Sequence, residues 1–327
     1  MKEKILALLK QQNDYISGQE LCEHFGVSRT AVWKAIKQLQ NEGYQIEAVN
    51  NKGYHLLEES DVLTETEIQE KLHTTVMGKN LICYKETGST NNDAKRMAEE
   101  GAPHGTMIVA DMQTGGRGRR GREWKSAPGE SIAMTLLLRP EILPENASML
   151  TLVGAMALTD AIDSLTTSSC RIKWPNDIVL NEKKLCGILT EMSTEVDYIQ
   201  YVVIGIGVNA NQTEFPEEIR EIATSIYLEE GKKINRAAIV AKYLEEFEKY
   251  YDIFQKTQDM SGLIDQYNQI LVNRDRTVRV LDPKGEFTGT ALGIDERGEL
   301  LVQTDDGAVV KVYAGEVSVR GLYGYTK

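Results

Sequence analysis

Gln113-Thr114-Gly115-Gly116-Arg117-Gly118-Arg119-Arg120-Gly121-Arg122-Glu123-Trp124 decides how the middle of the chain is folded. Residues 116–121 meet the glycine spacing of a dinucleotide-binding fingerprint. That fingerprint needs a strand before it and a helix after it, because the pyrophosphate rests on the helix N-terminus. A strand pattern, 106–112, does precede; Ser126-Ala127-Pro128-Gly129 and a second strand pattern, 131–138, follow. The dinucleotide reading is therefore rejected. The glycines still permit close backbone approach to a ligand and positive φ. Arg117, Arg119, Arg120 and Arg122 are permanent cations suited to phosphate and carboxylate. The stretch reads as a mobile anion clamp, with a solvated surface loop and an RG-type RNA-binding segment as the competing readings.

Outward from the loop, residues 63–272 alternate strand patterns (81–86, 106–112, 131–138, 171–174, 184–191, 198–208) with helical ones (91–100, 148–164, 235–254). Many successive strands are joined by turns, which predicts a mixed sheet with helices rather than a doubly wound one. Polar turns sit at strand ends. Glu86-Thr87-Gly88-Ser89-Thr90-Asn91 reads as a capture turn for a neutral polar group, or as a capping box of Thr90 with Asp93. Lys173-Trp174-Pro175-Asn176-Asp177-Ile178 and Gly205-Ile206-Gly207-Val208-Asn209 end two further strands, and Lys183 and Lys184 start another. Plain turns, packed glycines and solvated charges account for each of these singly. Together, an anion clamp, a polar capture turn and lysines at strand ends are what adenylation of a carboxylic acid requires. The chain has no HExxH, GxxxxGK[ST] or serine elbow to support a rival chemistry.

Residues 1–62 read as a winged helix-turn-helix: helices 2–10, 19–25 and 29–42, then a hairpin of 44–49 and 54–57 around Asn50-Asn51-Lys52-Gly53. The face expected toward DNA carries Ser28, Arg29, Thr30, Lys34 and Lys37, with Lys52 at the hairpin tip. A winged helix used only for protein contact is the alternative. Residues 1–59 hold seven Lys/Arg and eight Asp/Glu, so one copy should bind DNA weakly and dimerisation is expected. Residues 273–327 show short β runs at 277–281, 286–294, 300–304, 309–313 and 317–320, divided by Pro283-Lys284-Gly285, Glu296-Arg297-Gly298 and Asp305-Asp306-Gly307; a small SH3-like β-barrel follows. The fold class is thus α+β and multidomain.

At 327 residues the chain exceeds one ordinary core, and 41% hydrophobic with 26% charged residues describes a folded globular protein. No apolar run approaches the ~18–20 residues of a membrane span, and no signal peptide is legible. Cys22, Cys83, Cys170 and Cys186 are scattered without metal or disulfide spacing, which predicts a reducing, cytoplasmic home. A net charge of -12 rules out a non-specific nucleic-acid coat.

The ordered set 86–91, 116–122, 173–178, Lys184-Leu185-Cys186-Gly187-Ile188-Leu189-Thr190-Glu191 and 205–209 closely resembles the biotin protein ligases, and the preceding winged helix resembles their bifunctional ligase–repressor members. The resemblance spans essentially the whole chain. It implies that biotin and ATP form biotinyl-5′-adenylate, and that a lysine of a biotin carboxyl carrier protein, in acetyl-CoA carboxylase and other biotin-dependent carboxylases, then takes the biotinyl group. It implies biotin contacts from Ser89, Thr90, Asn91, Gln113, Gly116, Arg117, Arg119, Lys184, Gly187 and Gly205. Nucleotide contacts are implied for Arg120, Arg122, Trp124, Lys173, Asn176, Asn209 and Arg320. Lys184, Arg119 and Asp177 take the catalytic roles: Lys184 bridges the biotin carboxylate and the α-phosphate, Arg119 closes over the adenylate, and Asp177 orients or deprotonates the acceptor lysine. Mg2+ travels with ATP, and no protein side chain is expected to bind metal. The resemblance also implies operator DNA, a homodimer formed near the Gly-Arg loop, and biotinyl-adenylate as corepressor. One departure stands out: residues 211–223 hold no tryptophan to cover adenine, leaving Trp124, Ile219 or Ile222 for that place. A lipoate ligase would lack this loop and the winged helix; a biotin sensor without ligase activity would not need Lys184 and Arg119.

Overall fold

Ser17 and Ser28 start two of the first three helices of the computed structural model, which describes all residues except 58–60, 196–197, 283–284, 315–317, 322–324 and 327. After α1 (Lys2–Gln11), Ser17 accepts from the Glu20 amide at 3.0 Å to open α2 (Gly18–Phe25), and Gly26, at φ 64°, ends it. Ser28 accepts from the Ala31 amide at 3.3 Å and opens α3 (Arg29–Asn41). Ile5, Leu9, Leu21, Val32, Ile36 and Leu39 form this unit's own core. The wing is β1 (Ile46–Val49) paired antiparallel with β2 (Gly53–Leu56). Gly53 must be glycine: its φ is 115°, and a Cβ would stand 2.0 Å from the Ile16 carbonyl oxygen. Tyr44, expected to begin the wing's first strand, instead packs inward and donates to Glu67 at 2.8 Å.

After α4 (Glu65–Gln69), the central sheet comprises β3 (Leu81–Thr87), β4 (Thr106–Gln113), β5 (Ser131–Leu138), β6 (Arg171–Lys173), β7 (Asp177–Leu180), β8 (Lys183–Glu195) and β9 (Tyr198–Asn209). Its order is β3-β4-β5-β9-β8-β7-β6, parallel between β3 and β4 and antiparallel elsewhere, so the sheet is mixed. α5 (Thr90–Glu99) packs Ala94 and Ala98 on one face, while α6 (Leu150–Leu165) and α8 (Arg236–Thr257) cover the other. β5 is covered on both faces and buries all eight residues, which is why it reads as a largely apolar run rather than an alternating one. The run Pro144–Leu165 is long and apolar enough to cross a membrane, but it lies in this core, with Leu150, Val153 and Met156 wholly buried. Short elements escaped the sequence reading: α4, β7, α7 (Ile226–Glu230) and α9 (Ile264–Ile270) are too brief to show a period. The helix expected from residue 148 begins as a 3₁₀ turn, Pro144–Met149.

The last unit is a five-stranded antiparallel sheet: β10 (Thr277–Leu281), β11 (Phe287–Ile294), β12 (Leu300–Gln303), β13 (Val309–Val312) and β14 (Ser318–Gly321), in the order β13-β12-β11-β10-β14. Pro283 and Lys284 of its first expected turn, and Val317 of its last expected run, lie outside the described residues. Its apolar face joins the central core through Val278, Val280 and Val319. The Trp174 indole donates to the Gly298 carbonyl at 3.0 Å, fixing this sheet against the β6–β7 turn.

Arg236, at the start of α8, is 1% exposed. Its guanidinium binds Asp61 at 2.7 Å, Asp111 at 2.6 Å and the Ser131 carbonyl at 2.9 Å. One cation thus ties the segment after the winged helix to the two strands that bracket the Gly-Arg loop. Removing one partner of a buried ion cluster leaves charge uncompensated and costs about 3–5 kcal/mol. Arg236→Met should lower stability by that order in denaturant unfolding; a loss below about 1 kcal/mol would make the cluster incidental.

Candidate active site

A cavity of about 770 Å³ opens between the sheet and residues 113–130. Its polar end is built where β3 hands over to α5. The Thr90 amide and hydroxyl both donate to Gln113 Oε1, at 2.8 and 3.1 Å. The Thr135 hydroxyl on β5, with a single proton to give, lies 2.8 Å from Thr90 Oγ1 and 2.7 Å from Asn91 Oδ1. The capping-box alternative does not form: Asp93 accepts from Thr87 at 2.5 Å, and the Ser89 side chain makes no cap bond. Ser89 therefore faces the cavity with its hydroxyl unspent on the helix. Asn91 donates to Glu191 at 2.8 Å and lies on Gly205, where a Cβ would stand 2.0 Å from Asn91 Oδ1.

The Gly-Arg loop forms the second wall. The Trp124 amide donates to the Gly116 carbonyl at 2.9 Å, and a Cβ on Gly116 would meet the Trp124 carbonyl oxygen at 2.6 Å. Arg120 takes a left-handed backbone, φ 59°. Arg119 reaches across to Asn176 Oδ1 at 3.0 Å and to the Ala314 carbonyl at 2.7 Å, so the loop touches both the β6–β7 turn and the last sheet. Trp124 lies on Gly207 and Gly187, which are cross-strand partners; a Cβ on Gly207 would be 2.4 Å from its ring. Its indole N–H is buried without a partner among the described residues, a cost of about 1–3 kcal/mol that a ligand acceptor would offset.

The charged end gathers on β6, β7 and β8. Lys184 Nζ is 2.6 Å from Asp177 Oδ1 and 5.9 Å from the centre of the Trp124 ring. Tyr325 donates its hydroxyl to the other Asp177 oxygen. Lys173, directly opposite Asp177 in the hairpin register, donates to the Val319 carbonyl at 2.9 Å and sits 4.4 Å from the Tyr325 ring centre. Burial pushes the Lys173 ammonium down to about 8, helped by Lys184, Arg320 and Arg119. Burial alone would raise Asp177, but Lys184, Lys173 and two donated hydrogen bonds hold it below the usual carboxylate range. Asn209 donates to the Thr224 carbonyl at 3.0 Å and accepts from Gln212 at 3.2 Å. Of the central residues expected in the site, Gly116 and Arg320 are not on the cavity wall: Gly116 underlies the loop and Arg320 is exposed on β14. Ile219 and Ile222 line its rim. The sequence reading missed Thr135 and Tyr325, which carry no motif and meet the site only through folding, and gave no role to Glu191, the last residue of the 184–191 stretch.

On the winged helix, Ser28 is spent as the α3 cap, and Arg29 is held by Gln19 at 3.0 Å. Thr30, Lys34 and Lys37 are exposed on α3, and Lys52 stands 5.4 Å over the Tyr15 ring. Trp33, 52% exposed at the centre of the same face, was not anticipated.

Residues 82–209 match the biotin/lipoate A/B protein ligase family, residues 2–55 a helix-turn-helix domain, and residues 275–320 the C-terminal domain of biotin protein ligases. The bifunctional ligase/repressor BirA of Bacillus subtilis is 41% identical across 98% of each chain, and that of Escherichia coli 29% identical across 97% of this chain and 96% of its own. A structure of biotin protein ligase from Aquifex aeolicus in complex with biotin and ATP superposes with a TM-score of 0.66 at 34% identity, over 74% of this chain and 99% of that one. With this identity sustained from the winged helix to the last sheet, the chain belongs to the family of bifunctional biotin protein ligase/repressors.

Proposed function

We propose that the protein is an ATP-dependent biotin protein ligase and a transcriptional repressor of biotin genes. The observation that carries the ligase reading is the Lys184–Asp177 pair on a cavity flanked by an uncharged hydrogen-bonding end and an arginine loop. A biotin carboxylate oxygen attacks the α-phosphorus and pyrophosphate leaves. The acceptor ε-amine then attacks the acyl carbon, and AMP leaves. The end formed by Ser89, Thr90, Asn91 and Gln113 suits the neutral ureido ring; Gly205 lets Asn91 seat on the sheet, Gly187 lets Lys184 and Trp124 pack over β8, and Gly116 lets the loop approach. Arg117 and Arg119 close the loop over the acid and the adenylate. Arg120, Arg122, Lys173, Asn176 and Asn209 face the nucleotide, Trp124 or the Ile219–Ile222 rim covers adenine, and Arg320 reaches the phosphates. Mg2+ arrives with ATP. The acceptor is a biotin carboxyl carrier protein, and the setting is cytoplasmic.

Lys184 meets the charge that accumulates as carboxylate attacks phosphorus, after exchanging Asp177 for the substrate. Loss of one such donor costs roughly 100–1,000-fold in rate. Lys184→Ala should slow biotin-dependent pyrophosphate release by that order, and unchanged release would remove Lys184 from the reaction.

Lys173 is charged below about 8 and neutral above it. Its attraction for ATP is therefore present at neutral pH and lost as pH rises. Since kcat/KM reports the free enzyme, kcat/KM for ATP should fall as pH climbs through about 8, and Lys173→Arg should extend the plateau upward. A flat profile for the parent protein would argue against a phosphate role for Lys173.

For repression, α3 offers few cations, so tight binding calls for two copies on a homodimer engaging two half-sites. Adenylate that orders the arginine loop would favour that dimer, and by linkage operator DNA would favour the adenylate. Operator affinity at fixed salt should be roughly tenfold or more higher with biotinyl-adenylate than without ligand. Equal affinity in both states would end the corepressor reading while leaving the ligase one intact.

A further inference from the structure

Two lysines approach one carboxylate at the charged end of the cavity, and the residue that sorts them carries no family motif. Lys173 and Asp177 are directly opposed across the β6–β7 hairpin, a placement in which opposite charges ordinarily pair. Here Lys173 donates to the Val319 carbonyl instead, and Asp177 pairs with Lys184. What accompanies this arrangement is Tyr325. Its ring lies under the Lys173 ammonium, 4.4 Å from centre to nitrogen, and its hydroxyl donates to Asp177. Tyr325 is not on the cavity wall, whereas Lys173, Asp177 and Lys184 all are.

We propose that Tyr325 is a positioning residue of this site: its hydroxyl orients Asp177, and its ring holds Lys173 out of the Asp177 ion pair, leaving that carboxylate to Lys184. The proposal rests on the ligase reading above. A cation held over an aromatic face is attracted to the ring without pairing with a counter-ion. Lys173 thus remains available to nucleotide phosphates, and Lys184 is not in competition for Asp177. Burial keeps the Tyr325 hydroxyl protonated and a donor at all working pH values. The other charged and titratable groups facing this cluster are Arg119 and Arg122 from the loop, Arg320 on β14 and Cys186 on β8. Anchoring of the segment is a separate task, carried by Thr326: its carbonyl accepts from Arg276 at 3.3 Å and its hydroxyl donates to the Glu182 carbonyl at 3.4 Å.

Tyr325→Phe and Tyr325→Leu in the full chain separate ring from hydroxyl. The measurement is biotin-dependent pyrophosphate release as kcat and kcat/KM for ATP against pH, with thermal stability alongside. The Phe variant keeps the spacer: KM for ATP should stay within about twofold and the alkaline fall near 8 should not move, while kcat drops. The Leu variant lets Lys173 join Asp177: KM for ATP should rise about tenfold or more, and the alkaline fall should move up by about one pH unit, as an ion-paired lysine holds its proton longer. An alkaline fall at the same pH in all three proteins overturns the proposal, whatever happens to stability. Biotin-dependent pyrophosphate release by the parent protein is measured beside them; if the parent releases none, it is the ligase reading that fails.

Discussion

Everything at the active site depends on two places where side chains must lie directly on the backbone of β9. At Gly205 a Cβ would stand 2.0 Å from Asn91, and at Gly207 2.4 Å from Trp124. The first contact seats the N-terminus of α5 on the sheet, and the second seats the end of the Gly-Arg loop. These are the two walls of the cavity. A side chain at either position would force Asn91 or Trp124 off its seat on the strand. The glycines weaken a strand that could otherwise pack fully, and β9 offsets this by burying nearly its whole length between α5 and the paired helices α6 and α8.

The charged end of the site follows a different rule. A single buried carboxylate cannot neutralise Lys173, Lys184 and the nearby arginines, so a net positive field is built into a low-dielectric wall before any substrate binds. Such preorganised charge acts on an incoming anion without needing to reorganise. Its consequence is visible in Lys173, whose ammonium burial depresses to about 8, close to the limit at which it stays charged in neutral solution. Binding of phosphate would relieve that cost. The same arithmetic explains why Asp177 stays ionised despite being buried: the cations around it outweigh its desolvation.

Legibility in the sequence followed the same division. Elements with long periods or fixed caps were readable: α2, α3, β5 and α8 fall within a few residues of their expected places because Ser17, Ser28, a largely apolar run and a long amphipathic repeat mark them. The mixed sheet was readable from the turns that join its strands. β7 was not, since four residues beginning with Asp177 look like the continuation of a turn. Among the residues expected in the site, the motif-bearing ones converge because a motif already encodes a backbone shape. Thr135 is invisible in sequence, as it sits in an apolar strand and matters only because α5 presents Thr90 and Asn91 to it. Tyr325 is invisible for the complementary reason: more than a hundred residues separate it from Asp177, and only the docking of the last sheet on β6 brings them together.

That docking also bears on how the Gly-Arg loop is held. Its two ends are pinned: the Gln113 amide donates to Ser126 Oγ at 2.8 Å, and the Gly129 amide donates to Asp111 at 3.0 Å. Between them Arg117, Arg120 and Arg122 are exposed. With its base fixed, the crown is held by Arg119 on Asn176 and the Ala314 carbonyl, contacts that lie clear of β4 and β5. The pin at Asp111 is shared with Arg236, and Arg236 in turn holds Asp61, which follows the winged helix. The base of the ligand loop and the tether of the helix-turn-helix unit are therefore fastened to one buried guanidinium. A displacement of either would have to be absorbed by that cation or passed to the other, because an Arg that is 1% exposed has no solvent to fall back on.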